Sequence, residues 1–379
     1  MEGSNIHLHG WYSKKEPNMR VLLITGSFPP MRCGVGDYTY NLAKAFTDDA
    51  RVQLGVLTSG SGGKISKTDG IEIFPVISRW DLAEALKVIN IVRSWSPDII
   101  HIQYDTQGYG KGLLPRILPL ISFLMKKKVV QTWHGGGGLR DGLNCFLRLL
   151  IPSALVVVHR QYKVNFHGIY HWILRVKKPV FIPNASTVPR AVLNEKKKSE
   201  IKKKYLKKQK RLVVFFGFVY PHKGVELLFQ IANPDLDQIV IAGEIDEKGD
   251  YFKEILRIAS LEPWREKVSI TGFLPLADIA ALLGLADAVI LPFRIGGGEW
   301  NTSIHSAVLN GAFVITTSLT QNGYDKNRHI YFAKIDNIKE MRSALSKYAG
   351  MSRRYVIDSN EWKKIVDEHY ALYKSIATI

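Results

Sequence analysis

The sequence predicts an α/β protein built from two parallel, doubly wound sheets in tandem. Three observations lead there. The chain is 379 residues long, more than one ordinary core accommodates, so two domains are expected. The opening pattern, an apolar strand followed by a glycine turn and a helix, occurs at Arg20 and again at Arg211. Short, continuously apolar runs such as RVLLIT and AVILPF suit strands buried on both faces, as parallel strands between two helical layers are.

In order, residues 1–18 form a polar leader that includes Lys14, Lys15 and Glu16, with no secretory signal pattern. Residues 19–187 form the first domain. Its strands are read at Arg20–Thr25, Arg51–Thr58, Ile71–Val76, Pro97–Tyr104, Lys128–Thr132, Leu155–His159 and Val180–Ile182, with helices at Tyr38–Phe46 and Asp81–Trp95. Pro183–Pro189 reads as a linker. Residues 188–358 form the second domain. It has strands at Arg211–Phe216, Gln238–Ala242, Val268–Thr271, Ala288–Phe293 and Phe313–Thr317. Helices are read at Gly224–Ile231, Tyr251–Ser260, Leu276–Leu285 and from Thr302 or Ser303, as its cap, to about Asn310. Residues 359–379 form a last amphipathic helix anchored by Trp362.

Composition narrows the class. Hydrophobic residues are 46% and charged residues 23% of the chain, a globular balance. Two distant cysteines, Cys33 and Cys145, argue against a disulfide scaffold and for a reducing, cytoplasmic setting. The formal net charge is +18, and Lys196–Arg211 holds ten basic residues and one acid. That run reads as a solvated basic helix. A nucleic-acid binder is disfavoured because the charge is not joined to base-stacking motifs. Lys111–Lys128 (KGLLPRILPLISFLMKKK) carries two readings, a core-packed helix with a lysine-rich end or a stretch lying in a membrane interface.

In open α/β sheets ligands sit beyond the carboxyl ends of the strands. That rule collects Gly34, Gly36, Asp37, His101, Gln103, Tyr104 and His134 from the first half, and His222, Lys223, Glu299, Asn301, Thr302 and Ser303 from the second. Gly296, Gly297 and Gly298 open the loop before the last group, where a helix N-terminus can receive an anion. Lys223 can neutralise a phosphate. His134 precedes four glycines that permit close approach of a ligand. His101, between two isoleucines, reads as structural or as support for the site. Asp37 can serve as a general base or cap the following helix, and capping is preferred. The Gly34 region lacks the G-x-G-x-x-G spacing of dinucleotide binders, and no metal-binding or nucleophile-elbow motif is present.

Six segments, in order, resemble the GT-B retaining glycosyltransferases of the family-4-like group (glycosyltransferase group 1). They are RVLLITGSFPPMRCGVGDYTYNLAKAF, DIIHIQYDTQGYG, VVQTWHGGG, VVFFGFVYPHKGVELL, VSITGFLPLADIAALLGLADAVILPF and EWKKIVDEHYALYKSI. The resemblance implies two Rossmann-like domains facing across a cleft, with the last helix crossing back to the first. It implies a UDP- or GDP-linked sugar in the second domain, a saccharide or lipid-linked saccharide acceptor in the first, and no cofactor or metal. It puts Lys223 on the donor diphosphate, Gly34 and Gly36 near the phosphates and the acceptor, and His134 on the transferred sugar. His222, Gly298, Asn301, Thr302 and Ser303 join the donor side, and Asp37, Gln103 and Tyr104 the acceptor side. The implied setting is cell-surface polysaccharide or glycolipid synthesis, peripheral on the inner membrane face, without nucleic acid. Two departures stand out. Glu299 matches the first of a pair of glutamates whose second position holds Ala307 or Ser306, and Phe218 stands where an arginine is common. The alternative reading is therefore a non-catalytic nucleotide-sugar-binding subunit of a glycosyltransferase complex.

Overall fold

A computed structural model describes residues 19–49, 51–60, 66–104, 108–135, 148–160, 162, 169–351 and 360–378. The leader at 1–18 and the glycines at 136–138 lie outside the described residues.

The first sheet has eight strands: β1 (Arg20–Thr25), β2 (Gln53–Ser59), β3 (Ser66–Thr68), β4 (Ile71–Ile77), β5 (Ile99–Tyr104), β6 (Lys128–Trp133), β7 (Ala154–Val157) and β8 (Val180–Phe181). Their order is β3-β4-β2-β1-β5-β6-β7-β8. All neighbours are parallel except the β3–β4 hairpin. The second sheet has seven: β9 (Arg211–Phe216), β10 (Asp237–Ala242), β11 (Val268–Gly272), β12 (Ala288–Leu291), β13 (Val314–Thr317), β14 (Gly323–Asp325) and β15 (Ile330–Ala333), in the order β11-β10-β9-β12-β13-β15-β14. Here too only one pair, β14–β15, is antiparallel. The chain turns outward in opposite directions from β1 and β5, and from β9 and β12. Each sheet therefore has a switch point, and the crevice for a ligand opens beyond those strand ends.

Alternation along each strand sorts the first sheet's core into two layers. Leu22, Ile24, Ile100, Ile102 and Val129 face one cluster, which includes Val88, Leu118, Ile173 and Leu174 from the helices Ala85–Trp95, Leu114–Leu124 and Ile169–Lys177. Val21, Leu23, Ile99 and Val130 face the other, which takes in the helix Gly34–Asp49 and, from the far end of the chain, Ile365, Val366 and Tyr373. The last helix, Glu361–Ala377, is thus part of the first domain's core. Tyr373 is fully buried and stacks on Phe46 at 5.7 Å. Trp362 packs on Tyr38 at 5.3 Å, and Arg51 pairs with Asp367 at 2.5 Å.

Several sequence expectations shift. The helix read as Tyr38–Phe46 begins at Gly34, so Asp37 sits in its first turn and is not its cap. An acid there is favoured by the helix dipole rather than by capping geometry. The helix read as Gly224–Ile231 is two 3-10 turns, Pro221–Lys223 and Val225–Leu227, followed by one α-turn, Leu228–Ile231. Asn301, in place of Thr302 or Ser303, holds the N-cap position of the helix Thr302–Leu309, without a capping bond from its side chain.

The buried hydroxyl of Tyr373 makes a 2.7 Å hydrogen bond to Nδ1 of His101, itself fully buried. Tyr373→Phe keeps the ring packing and strands that imidazole nitrogen. It is expected to destabilise the protein by about 1–3 kcal/mol in urea denaturation, and Tyr373→Ala by more. A neutral Tyr373→Phe would show that the bond carries no stability.

Candidate active site between the two sheets

On the first domain's side, the loop after β1 and the start of the helix Gly34–Asp49 pack tightly. A Cβ on Gly36 would lie 3.0 Å from the Ser27 carbonyl oxygen, whereas one on Gly34 would meet nothing within 4 Å. Gly36 lets the helix approach the loop, and Gly34 leaves open space at the helix start. Asp37 is half-buried, and burial pushes its carboxyl up to about 6. No hydrogen bond satisfies that carboxylate among the described residues.

Behind this loop runs a chain of polar contacts from the last helix to the cleft. His101 bonds Tyr373 through Nδ1 and Thr132 Oγ1 through Nε2, each at 2.7 Å. Gln103 Nε2 lies 3.2 Å from His101 Nε2, and Gln103 Oε1 lies 2.7 Å from His134 Nε2. The Gln103 oxygen only accepts, so His134 carries its proton on Nε2 and leaves Nδ1 as an acceptor. Burial, with His369 nearby, pushes the His134 imidazole down to about 3. Burial pushes His101 well below its usual value too, assisted by His369 and His134. His134 is half-buried, with Tyr38 edge-on at 4.7 Å.

Two residues expected on the acceptor side lie elsewhere. Tyr104 is in the core, its hydroxyl donating to the Pro115 carbonyl at 2.8 Å. Alternation turns its ring toward the helix Leu114–Leu124 and away from the cleft. Gln103 is also fully buried, and its amide positions His134 instead of meeting a ligand.

On the second domain's side, β9 ends in a loop carrying an aromatic ladder. Phe218 stacks on Tyr220 at 5.8 Å, and Tyr220 on His222 at 5.7 Å. Lys223 follows. Its ammonium sits 4.4 Å from the centre of the Phe293 ring, a cation–π contact. No carboxylate pairs with it among the described residues, and burial pushes its pKa down to about 8. Gly224 holds the turn. It adopts φ +66°, and a Cβ there would come within 2.4 Å of the Pro292 carbonyl oxygen. His222 lies at the surface, its pKa lowered by partial desolvation of the ring and by Lys223.

The glycine loop faces Lys223's turn. Gly297 N–H donates to Thr317 O at 2.7 Å and Gly298 N–H to Asn301 Oδ1 at 2.9 Å. Asn301 thus spends its side chain on the loop. The backbone N–H groups and hydroxyls of Thr302 and Ser303 have no partner among the described residues, as expected of the open end of a helix. A Cβ on Gly217 would lie 3.1 Å from Ser303 Oγ, so the loop after β9 and this helix start converge. Glu299 makes an ion pair with Arg160 of the first domain at 3.0 Å, and its carbonyl accepts from His305 at 2.9 Å. At the two positions where the resemblance puts a second glutamate, Ala307 is buried and Ser306 Oγ is 3.0 Å from Ser186 Oγ in the linker.

Sequence reasoning missed two arginines. Arg160 meets Glu299, and Arg32 reaches Glu244 at 2.6 Å while lying over Phe273. Both span the two halves of the chain, and no local pattern announces them. No cluster of three His, Cys, Asp or Glu able to hold a metal ion occurs among the described residues.

Known proteins resemble this chain in sequence and in fold. Residues 196–321 match the family described as glycosyl transferases group 1. A putative glycosyltransferase, YtcC of Bacillus subtilis (strain 168), is 30% identical over 143 residues. That match spans 34% of this chain and 34% of the relative, about a third of its length. Sucrose-phosphate synthase from Thermosynechococcus elongatus superposes with a TM-score of 0.72 at 13% identity, over 94% of this chain and 98% of that one. Anabaena Alr3699/HepE, solved with UDP and glucose, superposes with a TM-score of 0.71 at 15% identity, over 94% and 100%. Residues 196–321 thus match the glycosyl transferases group 1 family, and the chain as a whole has the two-domain GT-B fold.

Proposed function

We propose that this chain is a retaining, metal-independent glycosyltransferase. It moves a sugar from a UDP- or GDP-linked donor to a saccharide or lipid-linked saccharide acceptor, in cell-surface polysaccharide or glycolipid synthesis. The observation that carries the reading is Lys223: a desolvated cation without a carboxylate partner among the described residues, opposite a helix start with free N–H groups. A donor diphosphate supplies the missing counter-charge. The solved complex of Anabaena HepE with UDP-glucose supports that donor class.

In this reading the bond between the sugar's anomeric carbon and the diphosphate oxygen breaks as negative charge builds on the diphosphate. Lys223 and the amides of Thr302 and Ser303 stabilise that charge. The acceptor hydroxyl attacks the same face of the sugar, and its proton passes to the departing phosphate oxygen. His134, neutral, presents Nδ1 to a sugar hydroxyl. Asp37 lines the acceptor side, and Glu299, held by Arg160, lies beside the sugar. Charge stabilisation by protein groups supports the metal-independent reading.

A second reading, a nucleotide-sugar-binding subunit without activity, draws on Ser306. Its hydroxyl is committed to Ser186, so no carboxylate meets a ribose there. Sugar transfer or donor hydrolysis by the purified chain removes this reading.

Lys223→Met is expected to lower transfer by about 10²-fold. Lys223's folded pKa, about 8, lies below its unfolded value of 10.5. The charge therefore costs stability below pH 8, a cost that disappears above the unfolded pKa. The same variant should accordingly melt no lower than the parent at pH 7. Normal transfer by Lys223→Met would sink the assignment. Donor affinity should fall as pH rises past about 8, measured by calorimetry, and transfer should survive excess EDTA.

For His134, nitrogen NMR at pH 6 should show a neutral ring protonated on Nε2. His134→Ala should impair transfer more than nucleotide binding. A charged ring, or equal loss of both functions, would contradict the role given to it.

A further inference from the structure

Between Asp105 and Glu195 the chain carries thirteen lysines and arginines and a single acid, Asp141. Two helices from this segment, Leu114–Leu124 and Ile169–Lys177, cover the same face of the first sheet, since Leu118, Ile173 and Leu174 enter one core cluster. Each helix has more apolar surface than that core consumes. Leu114, Pro115, Leu118 and Pro119 are buried, yet Leu113, Leu120 and Leu124 on the outward stripe are 44%, 39% and 70% exposed. On the second helix Ile169, Trp172 and Val176 are 57%, 65% and 62% exposed. Spacings of three, four and seven residues align each set on one side of its helix. Leu150, at 52%, lies on the connection between β6 and β7 that separates them.

The charges around this surface have one sign. Lys111, Arg116, Lys126, Lys127 and Lys128 flank the first helix, and Arg175, Lys177 and Lys178 end the second. No acid lies on either helix. A second copy of the chain would bring like charges together on this face. An anionic bilayer offers both an apolar layer for the leucines and tryptophan and phosphates for the lysines.

We propose that this face of the first domain docks on anionic phospholipid bilayers. Leu113 and Lys111 follow the carboxyl end of β5, so the docking face reaches the end of the sheet where the cleft opens. A saccharide carried on lipid would enter there. In that respect the inference extends the lipid-linked acceptor of the proposed function, but vesicle binding is measured without turnover, so either idea can fail alone. The strongly basic helix Glu195–Tyr205 provides the contrast. Only Ile201 and Tyr205 are buried and no large apolar side chain of it is exposed, so it has charge without an inserting stripe.

The test is flotation of the full chain with phosphatidylcholine vesicles, with and without phosphatidylglycerol, at about 0.1 M salt. The parent should float with the anionic vesicles and not with the neutral ones. Leu120→Glu/Leu124→Glu and Trp172→Glu should each lower binding by about tenfold or more. Lys202→Glu/Lys203→Glu/Lys204→Glu, on the contrasting helix, should bind like the parent. Circular dichroism and a donor thermal shift on each variant establish folding. Three results would overturn the proposal: no binding to anionic vesicles, binding indifferent to the apolar variants, or a soluble dimer that those variants dissolve.

Discussion

The first domain cannot close its core without the end of the chain. Ile365, Val366 and Tyr373 are almost wholly excluded from water within it, and burying side chains of this size is worth about 1.5–3 kcal/mol each. The chain must therefore leave the first domain, build the whole second sheet, and return. This return passes the linker, where Trp362 donates to the Ser186 carbonyl at 2.7 Å and Ser186 meets Ser306 of the glycine-loop helix. The last helix, Glu361–Ala377, also supplies Tyr373 to the polar chain that ends at His134. The relative setting of the two halves and the tautomer of a cleft histidine thus depend on one buried element.

Much of this fold was legible because parallel strands are buried on both faces and read as unbroken apolar runs. The two hairpins were not. β3 and β14 have three residues each, and their polar sequences, SKT and GYD, carry no period. The sites show a similar division. Lys223 was marked only by its place in a turn between strand and helix, and the structure adds its seat against the Phe293 ring. Tyr104 was misplaced because the rule that gathers residues at strand ends ignores which face each one points to. Thr302 and Ser303 looked like caps, but Asn301, equally suited by type, takes the N-cap position and turns its side chain to Gly298 instead. The contacts of Arg32 with Glu244 and of Arg160 with Glu299 join residues 212 and 139 positions apart, beyond the reach of local pattern.

The glycine loop shows what replaces a missing carboxylate. The side chains nearest the helix start are already spent: Asn301 on Gly298, Ser306 on Ser186, Glu299 on Arg160. What remains open is backbone N–H and two hydroxyls. Such groups bind phosphate oxygens well and discriminate poorly among ribose hydroxyls. Under the proposed function, the donor is recognised through its diphosphate, and base selection falls to surfaces around the aromatic ladder of Phe218, Tyr220 and His222.

Under the proposed function, Lys223, which has no carboxylate partner among the described residues, couples donor binding to a proton. Near pH 8 the empty site holds the ammonium only part of the time, because burial opposes its charge. An arriving diphosphate favours the charged form, so the complex takes up a fraction of a proton from solvent as it forms. When the diphosphate product departs, that fraction returns to solvent. In the proposed reaction each cycle moves solvent protons in addition to the one passed from acceptor to phosphate, and the heat of donor binding depends on the buffer that supplies them.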